Sequence, residues 1–292
     1  MDAPGADITV DAVLVERLVG EQHPDLAGPV VPVANGWDNA IFRLGDGLAV
    51  RMPRRRVAAE LVEHEQRWLP ALAPVLPVAI PVPVRVGLPT PDYPWHWSIV
   101  PWFDGRAAAE STPAERHAAA RPLAEFVHAL AVPAPSDAPR NPFRGVPLAA
   151  RDASIHARLA SGRLPRSAEL GVLWDRLSTV APWSGRPLWV HGDLHPGNLV
   201  VVPGGIAVID FGDLTAGDPA TDLATAWLSF DPAGRAAFRQ RMEELREIDA
   251  ATWQRARAWA MVLGSAIVDA VAGDGPIARV GRHALDQVLL EE

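Results

Sequence analysis

One stretch constrains this chain more than any other. Two apolar runs, residues 188–190 and 199–202, bracket His191-Gly192-Asp193-Leu194-His195-Pro196-Gly197-Asn198. Twelve residues after Asn198 stands Asp210-Phe211-Gly212, fed by a third apolar run, Ile206-Ala207-Val208-Ile209. Between the last two runs lies Pro203-Gly204-Gly205, which is turn chemistry because glycine reaches positive φ without penalty. The pattern predicts a loop, a short strand, a tight hairpin and a second short strand, with polar groups delivered where strands meet loops.

The residue types point to phosphoryl transfer from a nucleotide. In a kinase-type site one Asp orients the acceptor hydroxyl and takes its proton. An Asn five residues later helps hold Mg²⁺, and the Asp of an Asp-Phe-Gly turn coordinates the metal that bridges the phosphates. Asp193, Asn198 and Asp210 occupy those positions, so all three are candidate catalytic residues and the last two candidate metal ligands. Mg²⁺ takes hard oxygen donors, which suits Asn and Asp and not His. His191 and His195 have a spacing that chelates zinc on a helix, but Gly192, Pro196 and Gly197 argue against a helix there. His191 reads as a structural histidine that fixes the loop.

Such a site also needs a cation on a strand touching the phosphates, paired with a carboxylate from the next helix. The chain has no lysine, so its 27 basic residues are all arginines. The alternating segment Leu48-Ala49-Val50-Arg51-Met52 carries one charge, Arg51. Residues 57–73 read as a helix with Leu61, Trp68, Leu69 and Leu72 on its apolar face. Glu65 shares that face and needs a partner, because an unpaired buried charge is strongly unfavourable. Arg51 is that partner, either as part of the phosphate site or as a plain ion pair. The phosphate-covering loop is expected between strands at 29–33 and 40–44, with Asn35, Gly36 and Asn39 as candidate nucleotide-binding residues. Val100, beside the connector 101–105, belongs to an apolar slot suited to a purine. Arg54, Arg55 and Arg56 read as a solvated helix start.

The loop motif, the downstream Ile-Asp-Phe-Gly-Asp and the stretch Gly217-Asp218-Pro219-Ala220 with Asp222-Leu223-Ala224 together resemble the aminoglycoside phosphotransferase family of small-molecule kinases. Gly192 in place of the arginine usual in protein kinases points the same way. The resemblance extends through Gly36-Trp37-Asp38-Asn39 and Val50-Arg51-Met52-Pro53-Arg54, and covers most of residues 30–230. It implies an α+β, bilobal, protein-kinase-like fold. A β-rich N-terminal nucleotide-binding lobe with one helix would span residues 1–100, and a mainly helical catalytic and substrate-binding lobe residues 101–292. The implied activity is ATP- or GTP-dependent O-phosphorylation of a small molecule with Mg²⁺, first an aminoglycoside-type or related antibiotic. A macrolide or metabolite kinase and a regulatory nucleotide-binding pseudokinase are the alternatives. Arginine at position 51 leaves open whether the nucleotide adopts the usual pose. A protein kinase is disfavoured because no Ala-Pro-Glu element follows Asp210 at the expected distance.

Composition narrows the partners. At 292 residues, with 49% hydrophobic and 21% charged content, the chain suits a globular protein rather than a disordered one. A net charge of −8 disfavours nucleic acid and anionic membranes. With no cysteine, no secretory signal and no apolar run long enough to span a bilayer, the expectation is a cytoplasmic monomer. Helices are expected at 113–131, 150–161, 167–181, 219–231, 233–247, 250–271 and 277–290, and strands also at 81–86 and 95–100. The proline-rich segment 133–147 reads as a loop. Asp218 reads as a helix cap, Asp222 as a tie to the catalytic loop, and Asp213 as facing solvent first, with metal or substrate as the alternatives. Residues 187–250 carry ten acidic residues against four arginines, a balance that would attract a cationic acceptor. Trp183, Trp189, Trp227, Trp253 and Trp259 read first as core and otherwise as an apolar pocket wall.

Overall fold

The computed structural model describes residues 5–36 and 38–290. Strands β1 (Val30–Asn35), β2 (Asn39–Leu44), β3 (Leu48–Pro53), β4 (Arg85–Gly87) and β5 (Trp97–Pro101) form one antiparallel sheet in the order β1-β2-β3-β5-β4. Helix α2 (Arg56–Leu72) lies between β3 and β4 in the chain. Pro32 sits on the edge strand β1 next to a register shift, where its missing N–H does least harm. The expected strand at 81–86 shortens to β4 because Pro81 and Pro83 cannot donate to a ladder.

An unforeseen helix, α1 (Ala12–Gln22), is capped by Asp11, which accepts from Leu14 N at 2.8 Å. Val15, Leu18 and Val19 recur at helical spacing and pack with Phe42, Val50, Met52 and Trp97 into the first core.

Past β5 a two-residue strand β6 (Arg106–Ala107) precedes helices α3 (Ala120–Leu130), α4 (Asp152–Ala160) and α5 (Ser167–Leu177). Strand β7 (Leu188–Val190) leads into the motif loop, and β8 (Leu199–Val202) and β9 (Gly205–Val208) form the expected hairpin. Strand β10 (Thr215–Gly217) pairs with β7. Then come α6 (Ala220–Leu223), α7 (Thr225–Ser229), α8 (Pro232–Leu245), α9 (Ala250–Ala270) and α10 (Pro276–Leu289). The single helix expected at 219–231 is thus two short ones, and the one at 113–131 begins as a 3-10 turn at Glu115–Ala119.

Helix α9 is buried along most of its length and packs against α10. The two helices approach at Gly264 and Gly281, where a Cβ on Gly264 would lie 2.9 Å from Ala284 Cβ. This close crossing fixes the helical wall that faces the cleft. Leu69 and Leu72 of α2 belong to the larger, helical core with Phe126, Phe211 and Trp259, so α2 ties the sheet to the helical part. The architecture is the bilobal α+β arrangement expected. Among the described residues no helix is long and apolar enough to cross a membrane.

Candidate active site

The motif loop is held by its own backbone and by two distant groups. Asp222, buried at the start of the helical segment, accepts from His191 N at 2.7 Å and Gly192 N at 2.9 Å. Burial pushes its carboxyl up, against the pull of His191 and these two N–H groups. The His191 ring packs against Phe211 at 4.6 Å and its Nε2 lies 3.0 Å from Ile209 O. Both histidine and Asp222 therefore serve the loop as the sequence predicted. Gly192 has φ +87°, and a Cβ there would lie 2.6 Å from Asp213 O, so the turn admits no larger residue.

Three side chains surround the Asp193 carboxylate. Arg144 Nη2 donates to Oδ1 at 3.1 Å, His195 Nε2 lies 3.4 Å from Oδ2, and Asn198 Nδ2 donates to the Asp193 carbonyl at 2.9 Å. His195 Nδ1 accepts from Gly197 N at 3.0 Å, which leaves the proton of a neutral ring on Nε2, facing Asp193. Burial alone would raise the Asp193 carboxyl, but His195 and Arg144 outweigh it and hold the group well below the usual carboxylate range.

Asp210 stands across from this loop, joined to it by Ile209 N donating to Asn198 O at 2.9 Å. Its φ of +63° is left-handed, which only two non-glycine residues adopt among those described. Such a conformation costs roughly 1–3 kcal/mol and persists where surrounding contacts impose it. Here the buried Phe211 and the Arg51 contact do so: Arg51 Nη2 donates to Asp210 Oδ1 at 3.0 Å. Arg51 Nη1 meets both oxygens of Glu65 at 2.6 Å. Burial disfavours the Arg51 cation, yet Glu65 and Asp210 together reverse that and raise its pKa. With its amide oxygen turned to Arg51, Asn39 accepts from Nη2 at 3.2 Å.

These residues line one cavity of about 840 Å³ between the sheet and the helices. Gly36, Asn39, Arg51, Val100, Asp193, Asn198 and Asp210 all face it. Glu65 lies behind Arg51, only 3% exposed. Asn35 ends β1, but its side chain, like all of Trp37, lies outside the described residues. Of the arginine run after β3, Arg56 is exposed as expected, while Arg54 and Arg55 are engaged. Arg54 Nη1 donates to Gly36 O and Arg55 Nη2 to Asp38 Oδ1, both at 2.8 Å, so these two brace the β1–β2 loop. Ile41, Ala49, Pro81, Val100, Val200 and Ile209 make the apolar slot beside the connector.

One further expectation is corrected. Asp213 faces the cavity rather than the outer surface, and it is held there: Arg144 Nε donates to its Oδ2 at 3.0 Å and Asn141 Nδ2 to its Oδ1 at 2.7 Å. Arg144, from the proline-rich segment, was missed altogether, because nothing local in the sequence pairs with it. Four of the five tryptophans are core as first read, with Trp227 and Trp259 fully buried; Trp183 is half-buried, and none of the five lines this cavity. The candidate donors for a metal remain one carboxylate and one amide oxygen, Asp210 and Asn198, both lining the cavity. Among the described residues no group of three His, Cys, Asp or Glu is placed to hold a metal ion.

The chain has the fold of several solved structures. The GDP complex of aminoglycoside 2'-phosphotransferase-IIIa aligns with TM-score 0.70 at 18% identity, covering 96% of this chain and 99% of that one. An ADP-bound aminoglycoside phosphotransferase aligns at 0.61 and 17%, covering 96% and 99%. The macrolide 2'-phosphotransferase apoenzyme from Brachybacterium faecium aligns at 0.62 and 22%, covering 94% and 98%. No curated protein matches the chain. A family model does, over residues 29–259, and by that match the chain belongs to the phosphotransferase enzyme family.

Proposed function

We propose that the protein transfers the terminal phosphoryl group of ATP or GTP to a hydroxyl of a small molecule. The observation that carries this is the convergence of Asp193, Asn198, Asp210 and the Arg51–Glu65 pair on one cavity. The apolar slot takes the base, and the braced loop with Gly36 and Asn39 covers the phosphates. The boundary between nucleotide lobe and catalytic lobe falls at about residue 100, after β5, a reading supported by the smaller core, which lies wholly between Val15 and Ile99, while α2 reaches into the larger one.

Asp193 orients the acceptor hydroxyl and receives its proton as the oxygen bonds to phosphorus and the bond to the leaving diphosphate breaks. A carboxylate held so far towards its ionised form is a weak base, so orientation is its larger contribution. His195 and Arg144 keep the carboxylate ionised and fixed. Arg51, steadied by Glu65, sets Asp210 and steadies phosphate oxygens. Asp210 and Asn198 fit Mg²⁺: they offer hard oxygens, and the Asn198 amide nitrogen is already spent on Asp193. When bound there, Mg²⁺ supplies charge neutralisation on the phosphates.

The acceptor half of the cavity favours a largely apolar, hydroxylated body over a polycationic aminoglycoside. Its wall is Leu263, Ala266, Ile267 and Ala270 of α9, Val271 just after that helix, and Ile277 of α10. The acidic residues lining the cavity, Asp38, Asp193, Asp210 and Asp213, each have an arginine partner. A polycation would find no unpaired carboxylate there. Coupled nucleotide-turnover assays with ATP and GTP against hydroxylated macrocycles, amino alcohols and aminoglycosides test this reading. Stimulation by the apolar-bodied acceptors supports it, and stimulation by aminoglycosides alone reverses the choice of acceptor.

A further inference from the structure

One cation facing the cavity has a donor to spare, and it stands beside the carboxylate that orients the acceptor. Among the described residues lining the cavity the arginines are Arg51 and Arg144. Arg51 has every nitrogen committed: Nη1 to Glu65, Nη2 to Asp210, and Nε to Asn39 at 3.3 Å with that amide oxygen turned to it. Arg144 spends Nη2 on Asp193 Oδ1 at 3.1 Å and Nε on Asp213 Oδ2 at 3.0 Å. Its Nη1 makes no hydrogen bond among the described residues and is not sealed from solvent. Nη1 and Nη2 share one carbon in a rigid plane, so the free nitrogen is held one bond angle from the Asp193 contact.

The chain fixes this arginine from its backbone outward. The segment that carries it is tied to the strand after the Asp210 turn: Ala216 N donates to Pro139 O at 3.1 Å, Asn141 N to Thr215 Oγ1 at 2.9 Å and Asp218 N to Gly145 O at 2.9 Å. The Arg144 stem crosses the motif loop at Gly192, where an added Cβ would lie 3.3 Å from Arg144 Cβ. The guanidinium is thus set in place before any ligand arrives. A productive acceptor oxygen lies about 2.6–3.2 Å from its base and about 3–3.5 Å from the phosphorus it attacks. The phosphoryl group in transfer spreads negative charge over three equatorial oxygens, and it arrives in a cavity lined by Asp193, Asp210 and Asp213. A preorganised cationic donor at that place lowers the barrier more than one that must reorient.

We infer that Arg144 is a further catalytic residue, whose Nη1 donates to an equatorial oxygen of the phosphoryl group as it passes to the acceptor, while Nη2 and Nε stay on Asp193 and Asp213. This rests on the phosphotransfer reading and adds to it a cation that acts on the transferred group itself, not only through Asp193. The acceptor oxygen bonds to phosphorus, the bond to the leaving diphosphate breaks, and the hydroxyl proton goes to Asp193. Arg144 gives up no proton. One rigid fork then aligns the carboxylate and the group in transfer, with Arg51 on the nucleotide side and Arg144 on the acceptor side.

A double-variant cycle separates action on the phosphoryl group from action through Asp193. Single-turnover transfer of a labelled terminal phosphate from Mg·ATP or Mg·GTP, to acceptor or to water, is followed in the full chain. The variants are Arg144→Met, Arg144→Lys, Asp193→Ala and Asp193→Ala with Arg144→Met. Arg144→Met should slow transfer by about 10²–10³, the usual cost of one such donor, with nucleotide affinity unchanged. The same substitution should cost about as much again in the Asp193→Ala background, where Arg144 has no Asp193 carboxylate to serve. Arg144→Lys keeps a charge beside Asp193 but no planar fork, so it should hold the acid limb of kcat/KM near wild type and restore little of the rate. Should Arg144→Met fail to fold, Arg144→Lys carries the cycle in its place. Equilibrium binding gives a second readout: Mg·ADP or Mg·GDP with aluminium fluoride, a mimic of the group in transfer, should bind wild type more tightly than the diphosphate alone, and Arg144→Met should lose that gain. A loss of rate that vanishes in the Asp193→Ala background, with the aluminium fluoride gain intact in Arg144→Met, would make Arg144 a support for Asp193 alone and overturn the inference. A wild type that binds nucleotide yet transfers to neither acceptor nor water would instead sink the phosphotransfer reading itself.

Discussion

Replacing Arg51 by alanine removes the cation that joins three parts of the site. In the wild type its Nη1 meets Glu65 at 2.6 Å and its Nη2 meets Asp210 at 3.0 Å. Glu65 is 3% exposed, so the variant leaves a buried carboxylate without a partner. Breaking such a pair by deleting one member costs about 3–5 kcal/mol. Unfolding entropy of about 2 cal/mol/K per residue, applied to 292 residues, turns this into a fall in Tm of about 5–8 °C. Activity should fall further than stability, by about 10²–10³ in kcat, because phosphate positioning and the Asp210 carboxylate both lose their support. The double variant Arg51→Leu, Glu65→Met separates the two effects. It removes both charges together, so its Tm should return near that of the wild type while its turnover stays low. Arg51→Lys should recover much of both, since one ammonium between Glu65 and Asp210 still serves each carboxylate. Thermal melts and steady-state turnover of the three variants decide the matter. An Arg51→Ala protein that melts and turns over like the wild type would refute the pairing and move the phosphate cation to another arginine.

Asp193→Ala should lose about 10²–10⁴ in kcat with nucleotide affinity intact. Because the folded protein holds Asp193 ionised below the usual range, the acid limb of kcat/KM should lie below the ordinary aspartate value of about 3.9. Arg144→Met removes a group that favours the ionised form, so it should move that limb to higher pH; an unmoved limb would show that Arg144 does not act on Asp193. Asp210→Asn should abolish Mg²⁺-dependent nucleotide binding by calorimetry, and equal affinity would reduce Asp210 to a turn residue. Asp222→Ala strips His191 N and Gly192 N of their acceptor. Two buried orphan donors at about 1–3 kcal/mol each should lower the Tm and speed proteolysis within residues 191–198, and unchanged protection would place the loop's support elsewhere.

What could be read from the sequence was what is local. The motif loop and the Asp210 turn are contiguous, so their chemistry and their hairpin appear in order along the chain. The Arg51–Glu65 pair followed from one charge on a strand and one on an apolar helical face. Asp222 showed itself through its capping environment. Arg144 gave no such signal, because its partners lie 49 and 69 residues away and only the tertiary path of the proline-rich segment brings them together. Asp213 was misjudged for the same reason. Strands β6 and β10, with two and three residues, are too short for alternation to register. Helix α1 was legible in principle, through Asp11 and the spacing of Val15, Leu18 and Val19. The acidic balance of residues 187–250 misled because the sum ignores where each charge points. Asp218, for example, is buried against Arg255 Nε at 2.7 Å and cannot attract a ligand.

The central claim is transfer of a phosphoryl group to a hydroxyl through Asp193. The direct measurement uses nucleotide labelled in its terminal phosphate with Mg²⁺, follows the label onto acceptors by mass spectrometry, and compares wild type with Asp193→Ala. The account expects the label to appear on an acceptor oxygen with the wild type and to fall at least a hundredfold, about the lower bound for such a group, with the variant. Nucleotide binding without any transfer, to acceptor or to water, and alike in both proteins, would contradict it.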